Sequence, residues 1–194
     1  MGKPKAFDED ETLEKALNLF WWKGYEATSM QDIVDTLGLN RSSVYHTYTD
    51  KRTLFLRALS RYQLQQGTAL SNYLTQAPAT RQSLEVLLYQ IIDISLADVD
   101  RKGCFTVNST IELANRDTDV QRMVASNNDL FERVFAQFLI RMQDENSIAA
   151  HANVKQLAQF IVSCMGALRV SAIANPDRST LTAIADGVLA ALPK

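Results

Sequence analysis

Apolar residues recur with helical spacing along almost the whole chain, and strict alternation of apolar and polar positions is nearly absent. Asp8, with Glu11 three residues later, has the pattern of a capping box. Leu13, Ala16, Leu17, Phe20 and Trp21 then mark one face of a first helix that runs to about Lys23 and stops at Gly24. A second helix of about two turns starts after Ser29, with Asp32 three residues on, and ends at Gly38. Asn40 is placed to cap a third, from Arg41 to about His46 with Val44 inward, and Thr49 or Asp50 to cap a fourth. The fourth carries Leu54, Phe55, Ala58, Leu59 and Tyr62 and runs past Gly67 towards Leu74. Ala77-Pro78-Ala79 breaks the pattern. Further helices are predicted over Arg81 to Leu96, Gly103 to Asn115, Thr118 to Gln143, Asn153 to Ala174 and Ser179 to Leu192. The fold predicted is all-α, a three-helix N-terminal head followed by a six-helix domain. The boundary falls at residue 50, and a long linking helix occupies about 51–75 of the second domain, 51–194.

Composition agrees with this reading and removes several function classes. Of 194 residues, 46% are hydrophobic and 22% charged, with only seven Gly and four Pro, which suits a helical globular protein. The most apolar stretch, Leu157 to Ile173, is interrupted by Gln159, Ser163 and Arg169, so no bilayer span is expected. The opening Met1-Gly2-Lys3-Pro4-Lys5 lacks the apolar run of a secretion signal, and the expectation is a cytoplasmic protein with no membrane partner. Cys104 and Cys164, with His46 and His151, offer no disulfide framework and no metal-ligand spacing, so neither metal nor cofactor is expected. The glycines are dispersed, giving neither a dinucleotide fingerprint nor a phosphate loop, and neither His has a nucleophile at motif spacing. An enzyme is therefore disfavoured.

The net charge of −2 argues against a nucleic-acid partner, but its distribution does not. Between Arg41 and Arg61 lie five basic residues (Arg41, Lys51, Arg52, Arg57 and Arg61) against the single acid Asp50. This segment adjoins two short helices joined by a tight turn, the arrangement that presents a second helix to the major groove. Ile33, Val34 and Leu37 supply the inner face of the first, Gly38 and Leu39 the turn, and Val44 the inner face of the second. Arg41, Ser42, Ser43, Tyr45 and His46 point outward. Arg41 suits a guanine edge, the serines a base or phosphate, and Tyr45 a phosphate. Thr28 and Ser29 stand where a helix start favours an incoming phosphate, and Lys51 adds a charge at the next helix start. A helical adaptor without DNA binding is the non-regulatory alternative, and this polar, basic exterior counts against it.

The run from Gly24 to Val34 (GYEATSMQDIV), then Gly38 to Tyr48 (GLNRSSVYHTY), then Asp50 to Phe55 (DKRTLF) resembles the tetracycline-repressor (TetR, AcrR-like) family. The resemblance covers roughly the first 60 residues. Val34, where Ala is common, and Tyr48, where Phe is commoner, depart from the pattern. It implies a homodimeric one-component regulator, usually a repressor. Two heads read a pseudo-palindromic double-stranded operator, and a small-molecule effector bound in the second domain moves them apart. The DNA contacts it implies are Thr28, Ser29, Arg41, Ser42, Ser43, Tyr45, His46 and Lys51.

In the family the last two helices form the dimer. Here they carry apolar stripes, Leu157, Ala158, Ile161, Val162, Met165 and Leu168 on one and Leu181, Ile184, Ala185, Val188 and Leu192 on the other, and small residues at Gly166, Ala167, Ser171 and Ala172, which suit such a pairing; the alternative is that both pack inside one chain. The segment Arg101 to Asn108 (RKGCFTVN) resembles a Gly-Cys stretch that opens the sixth helix near the effector cavity in one branch of the family. Cys104, Asn108 and Glu112 are spaced to share a helix face. Arg101 and Lys102 favour a thiolate at Cys104 and Glu112 opposes it, which makes Cys104 a candidate sensor of electrophiles or oxidants. Phe105, Ile111, Leu113, Met123, Phe131, Phe135, Phe138 and Met142 are the apolar candidates for cavity walls, favouring an apolar or aromatic effector over a highly charged one.

Overall fold

The structure is a computed structural model that describes residues 7–194; the opening segment weighed as a secretion signal lies outside them. Nine helices are present among the described residues, and no strands. They are α1 (Glu9–Lys23), α2 (Met30–Leu37), α3 (Arg41–Tyr48), α4 (Lys51–Gln76), α5 (Arg81–Ala97), α6 (Phe105–Leu113), α7 (Thr118–Asp144), α8 (Val154–Ala174) and α9 (Arg178–Ala190).

Most starts are dictated locally. Asp8, Ser29, Asn40, Asp50, Thr80, Asp117, Asn153 and Asp177 each accept a first-turn amide with the side chain. The reciprocal capping box forms at Ser29 and Asp32. The Glu11 expected to close a box with Asp8 instead pairs with Lys15 at 2.7 Å. Among the helices of the described residues, only α6 lacks a side-chain cap. It begins at Phe105 rather than Gly103, because Arg101 (φ 51) and Gly103 (φ 66) take left-handed backbone and leave Cys104 extended at the N-cap. Gly103 is also the one residue that fits there, since a Cβ would collide with Ile173 of α8.

Two clusters of buried side chains divide the molecule. The first joins α1, α2 and α3 to the start of α4 (Leu54 to Tyr62), α6 and the first turns of α7. The second joins the end of α4, from Leu70, to α5, α7, α8 and α9. The division therefore falls within α4, beyond residue 50, and the head shares its core with α6 and α7. A chain of edge-to-face rings makes this junction: Phe20 to Phe55 at 5.3 Å, Phe55 to Phe105 at 5.6 Å and Phe105 to Tyr62 at 5.8 Å.

Of the two uses open to the stripes of the last two helices, the structure takes packing inside one chain. Ala158, Ile161, Met165 and Leu168 of α8 and Leu181, Ala185 and Val188 of α9 are buried within the one chain. The opposite face of α8 (Phe160, Ser163, Ala167, Val170 and Ala174) and the Ala183, Gly187 and Ala190 edge of α9 stay exposed at three- and four-residue spacing. By length and apolarity α8 is enough to cross a membrane, contrary to the reading of its sequence, but in the fold it packs between α7 and α9.

Candidate nucleic-acid interface and the cavity behind it

Gly38, left-handed at φ 64, turns the chain between α2 and α3, and buried Ile33, Leu37, Val44 and Tyr48 fix the helix pair against α1 and α4. The solvent face of α3 then consists of Arg41, Ser42, Tyr45 and His46, all exposed, with Ser43 half-buried beside them. The Arg41 guanidinium lies over the Tyr45 ring at 5.8 Å, so the two side chains share one surface. Thr49 ends α3 abruptly at φ 67, ψ −56, while the Asp50 amide donates to the Tyr48 carbonyl at 2.7 Å, a strained γ-turn that redirects the chain into α4.

Three residues expected at DNA are engaged inside the head. Thr28 is buried, and its hydroxyl donates to the Gly24 carbonyl. Ser29 is exposed, but its amide and hydroxyl both donate to the Asp32 carboxylate at 2.7 Å. Lys23 and Ser29 together hold that carboxyl far below the usual range, so a negative charge already occupies the start of α2. Lys51 donates to the carbonyls of Tyr25 and Thr28, each at 2.8 Å, and stands 4.2 Å from the Tyr25 ring centre, pinning the α1–α2 loop.

The rest of the basic cluster is also largely spent on structure. Arg52 grips Asp117 and Asp119 at the start of α7, and Arg61 grips Asp10 and Glu14 of α1. Arg41 and Arg57 remain exposed, with Arg57 over the Tyr48 ring at 5.6 Å.

Behind the head, a cavity of about 70 Å³ is bordered by Cys104, Thr106 and Val107 of α6 with Tyr62, Phe131 and Arg169. The Tyr62 hydroxyl lies 3.6 Å from Cys104 Sγ, and burial, then the neighbouring thiol, pushes the Tyr62 phenol well above its ordinary value. Of the sensing residues expected from sequence, only Cys104 lines this space. Phe105 and Phe135 are core residues in different clusters. Asn108 donates to the Lys102 carbonyl at 2.7 Å, holding the turn before α6. Cys104 borders the head cluster and Cys164 the body cluster, and both are free.

Glu112 was expected beside Cys104 but faces the head. Its carboxylate accepts the amides of Tyr25 at 3.0 Å and Glu26 at 2.8 Å. Cys104 stands outside the helix proper, so the shared face does not bring the two together. Among the apolar candidates, Phe131 lines the cavity, whereas Ile111 is 70% exposed.

A family model for the N-terminal region, bacterial regulatory proteins of the tetR family, matches residues 13–58, and one for the tetracyclin repressor-like C-terminal domain matches 81–187. The chain belongs to the TetR family. It is 30% identical to the HTH-type transcriptional repressor ComR of Escherichia coli (strain K12) over 195 aligned positions, covering all of this chain and 92% of that one. It is also 30% identical to the HTH-type regulator YezE of Bacillus subtilis (strain 168), across 83% of this chain and 84% of the relative. The TetR-family regulator CifR, solved as a cysteine mutant with a 26-base-pair operator DNA, superposes with a TM-score of 0.86. It shares 26% identity and covers 99% of this chain and 100% of that one.

Proposed function

We propose that this TetR-family protein is a cytoplasmic, homodimeric transcriptional repressor that binds a pseudo-palindromic operator and leaves it when a small molecule enters the second domain. One observation carries the reading: the exposed Arg41, Ser42, Tyr45 and His46 face of α3, on a helix whose other side is locked into the core. CifR, so similar over its full length, is solved on operator DNA, and ComR is a named repressor. The dimer forms through the exposed α8 face and the small-residue edge of α9, where Gly187 leaves open space for a partner helix. Recognition helices about 34 Å apart then meet successive major-groove faces.

Release works through α6. Its first turn borders the cavity, and Glu112 near its far end holds the α1–α2 loop through two amides. A ligand that displaces α6 pulls on Tyr25 and Glu26, and so on the helix pair, without touching DNA.

Tyr45→Ala is expected to weaken binding of selected genomic DNA roughly ten-fold or more at unchanged melting temperature, in a gel-shift titration beside a thermal melt. Lys51→Ala is expected to lower both, because Lys51 holds the head together. Undiminished DNA affinity in Tyr45→Ala refutes this reading.

A second trigger, favoured by the Tyr62 to Cys104 contact at the cavity wall, is modification of the Cys104 thiol by an electrophile or oxidant. Alkylation is then expected to release DNA from the wild type and not from Cys104→Ser; release from both, or from neither, excludes it.

A further inference from the structure

Beside the α6 cavity lies a second space of about 290 Å³, between α4 and α5, bordered by Leu70, Tyr73, Leu87 and Ile91. Gln66, Phe131, Met165 and Arg169 line both, so the two adjoin across one shared wall. Among the described residues Arg169 is the only charged side chain lining either space, and no Asp or Glu borders them. Its guanidinium has no ion pair and no hydrogen bond among the described residues, and unlike the other arginines without such partners (Arg41, Arg57, Arg81, Arg101 and Arg133) it borders these spaces.

A half-buried cation at the junction of two largely apolar spaces, with no protein acceptor on its donors, is the arrangement that favours an anion. The polar neighbours point to the same end. Gln66, Asn127 and Asn128 bring amide groups to the α6 side, and the α6 first turn, uncapped by any side chain, borders that side through Thr106 and Val107. The α5 side is walled by Leu70, Leu87, Ile91 and Ile94, with Tyr73 and Gln90 as its own polar groups and Gln66 shared between the two.

We infer that the effector is an amphipathic monocarboxylate, its carboxylate seated on Arg169 at the α6 end and its apolar body laid between α4 and α5. The inference deepens the effector reading above and rests on it. It also accounts for why the ligand is felt at α6, since the charged head lies where the lever to Glu112 begins.

The test uses octanoate, octanamide and octylammonium as matched probes, titrated calorimetrically into the full-length protein without DNA. Octanoate is expected to bind at least roughly ten-fold more tightly than octanamide, and octylammonium not to bind. Arg169→Gln, which orphans no partner, is expected to bring octanoate within about two-fold of octanamide, while Arg169→Lys keeps the acid ahead. Equal binding of acid and amide by the wild type, an undiminished acid preference in Arg169→Gln, or no binding of any probe overturns the inference. A separate gel shift tells the two proposals apart: selective binding of octanoate without DNA release preserves the carboxylate site and refutes effector release.

Discussion

At the scale of single residues, Tyr48 shows how a side chain can depart from a family pattern at a measurable cost. Its ring closes α3 against the core at 1% exposure, yet its hydroxyl is buried without a hydrogen-bond partner among the described residues. An orphaned polar group of this kind costs about 1–3 kcal/mol, so Tyr48→Phe is expected to stabilise the protein by about 1 kcal/mol in urea unfolding, with DNA affinity unchanged. A destabilised variant would mean that the hydroxyl has a partner. Residues whose role is local were legible in the sequence: Asp8, Ser29 and Asn40 cap as their spacing predicts, because an N-cap bond closes within three residues. Thr28 and Lys51 were not. Their hydroxyl and ammonium are turned inward by carbonyls that only the packed α1–α2 loop brings near, and no spacing rule reveals which donor will be consumed that way.

At the scale of elements, α6 is the informative helix. Nine residues long, it spans roughly 13 Å, with the cavity at one end and the Glu112 latch near the other. Glu112→Ala leaves the Tyr25 and Glu26 amides without their acceptor. It is expected to lower stability by about 1–3 kcal/mol and to uncouple the sites, so that an effector still binds but no longer releases DNA. Comparing effector affinity by calorimetry with DNA release by gel shift checks this; intact release would place the coupling elsewhere, through α4. Periodicity located all nine helices to within a few residues at their ends, since their apolar faces are long and regular. It misplaced the start of α6, where Arg101 and Gly103 take left-handed backbone, and with it the idea that Cys104 and Glu112 share one site.

At the scale of the whole molecule, the apolar stripes of α8 and α9 were visible in sequence, but not which surface they serve. They fill the core of one chain, and the face left exposed, the one proposed for the partner, is the quieter one of Phe160, Ala167, Val170 and Gly187. With a net charge of −2 on the chain, and with Lys51, Arg52 and Arg61 committed to internal contacts, the basic cluster of a single head leaves Arg41 and Arg57 for phosphate. Pairing two heads is how such a chain gains both affinity and sequence selectivity. The decisive measurement is selection of bound fragments from the source genome by the wild type and by the Arg41→Ala, Tyr45→Ala double variant, each confirmed as folded. The wild type is expected to enrich fragments sharing a two-fold-related sequence with half-sites about one helical turn apart, and the variant to enrich none. Enrichment of the same fragments by both, or no enrichment by the wild type, contradicts the assignment of α3 as the reader of DNA.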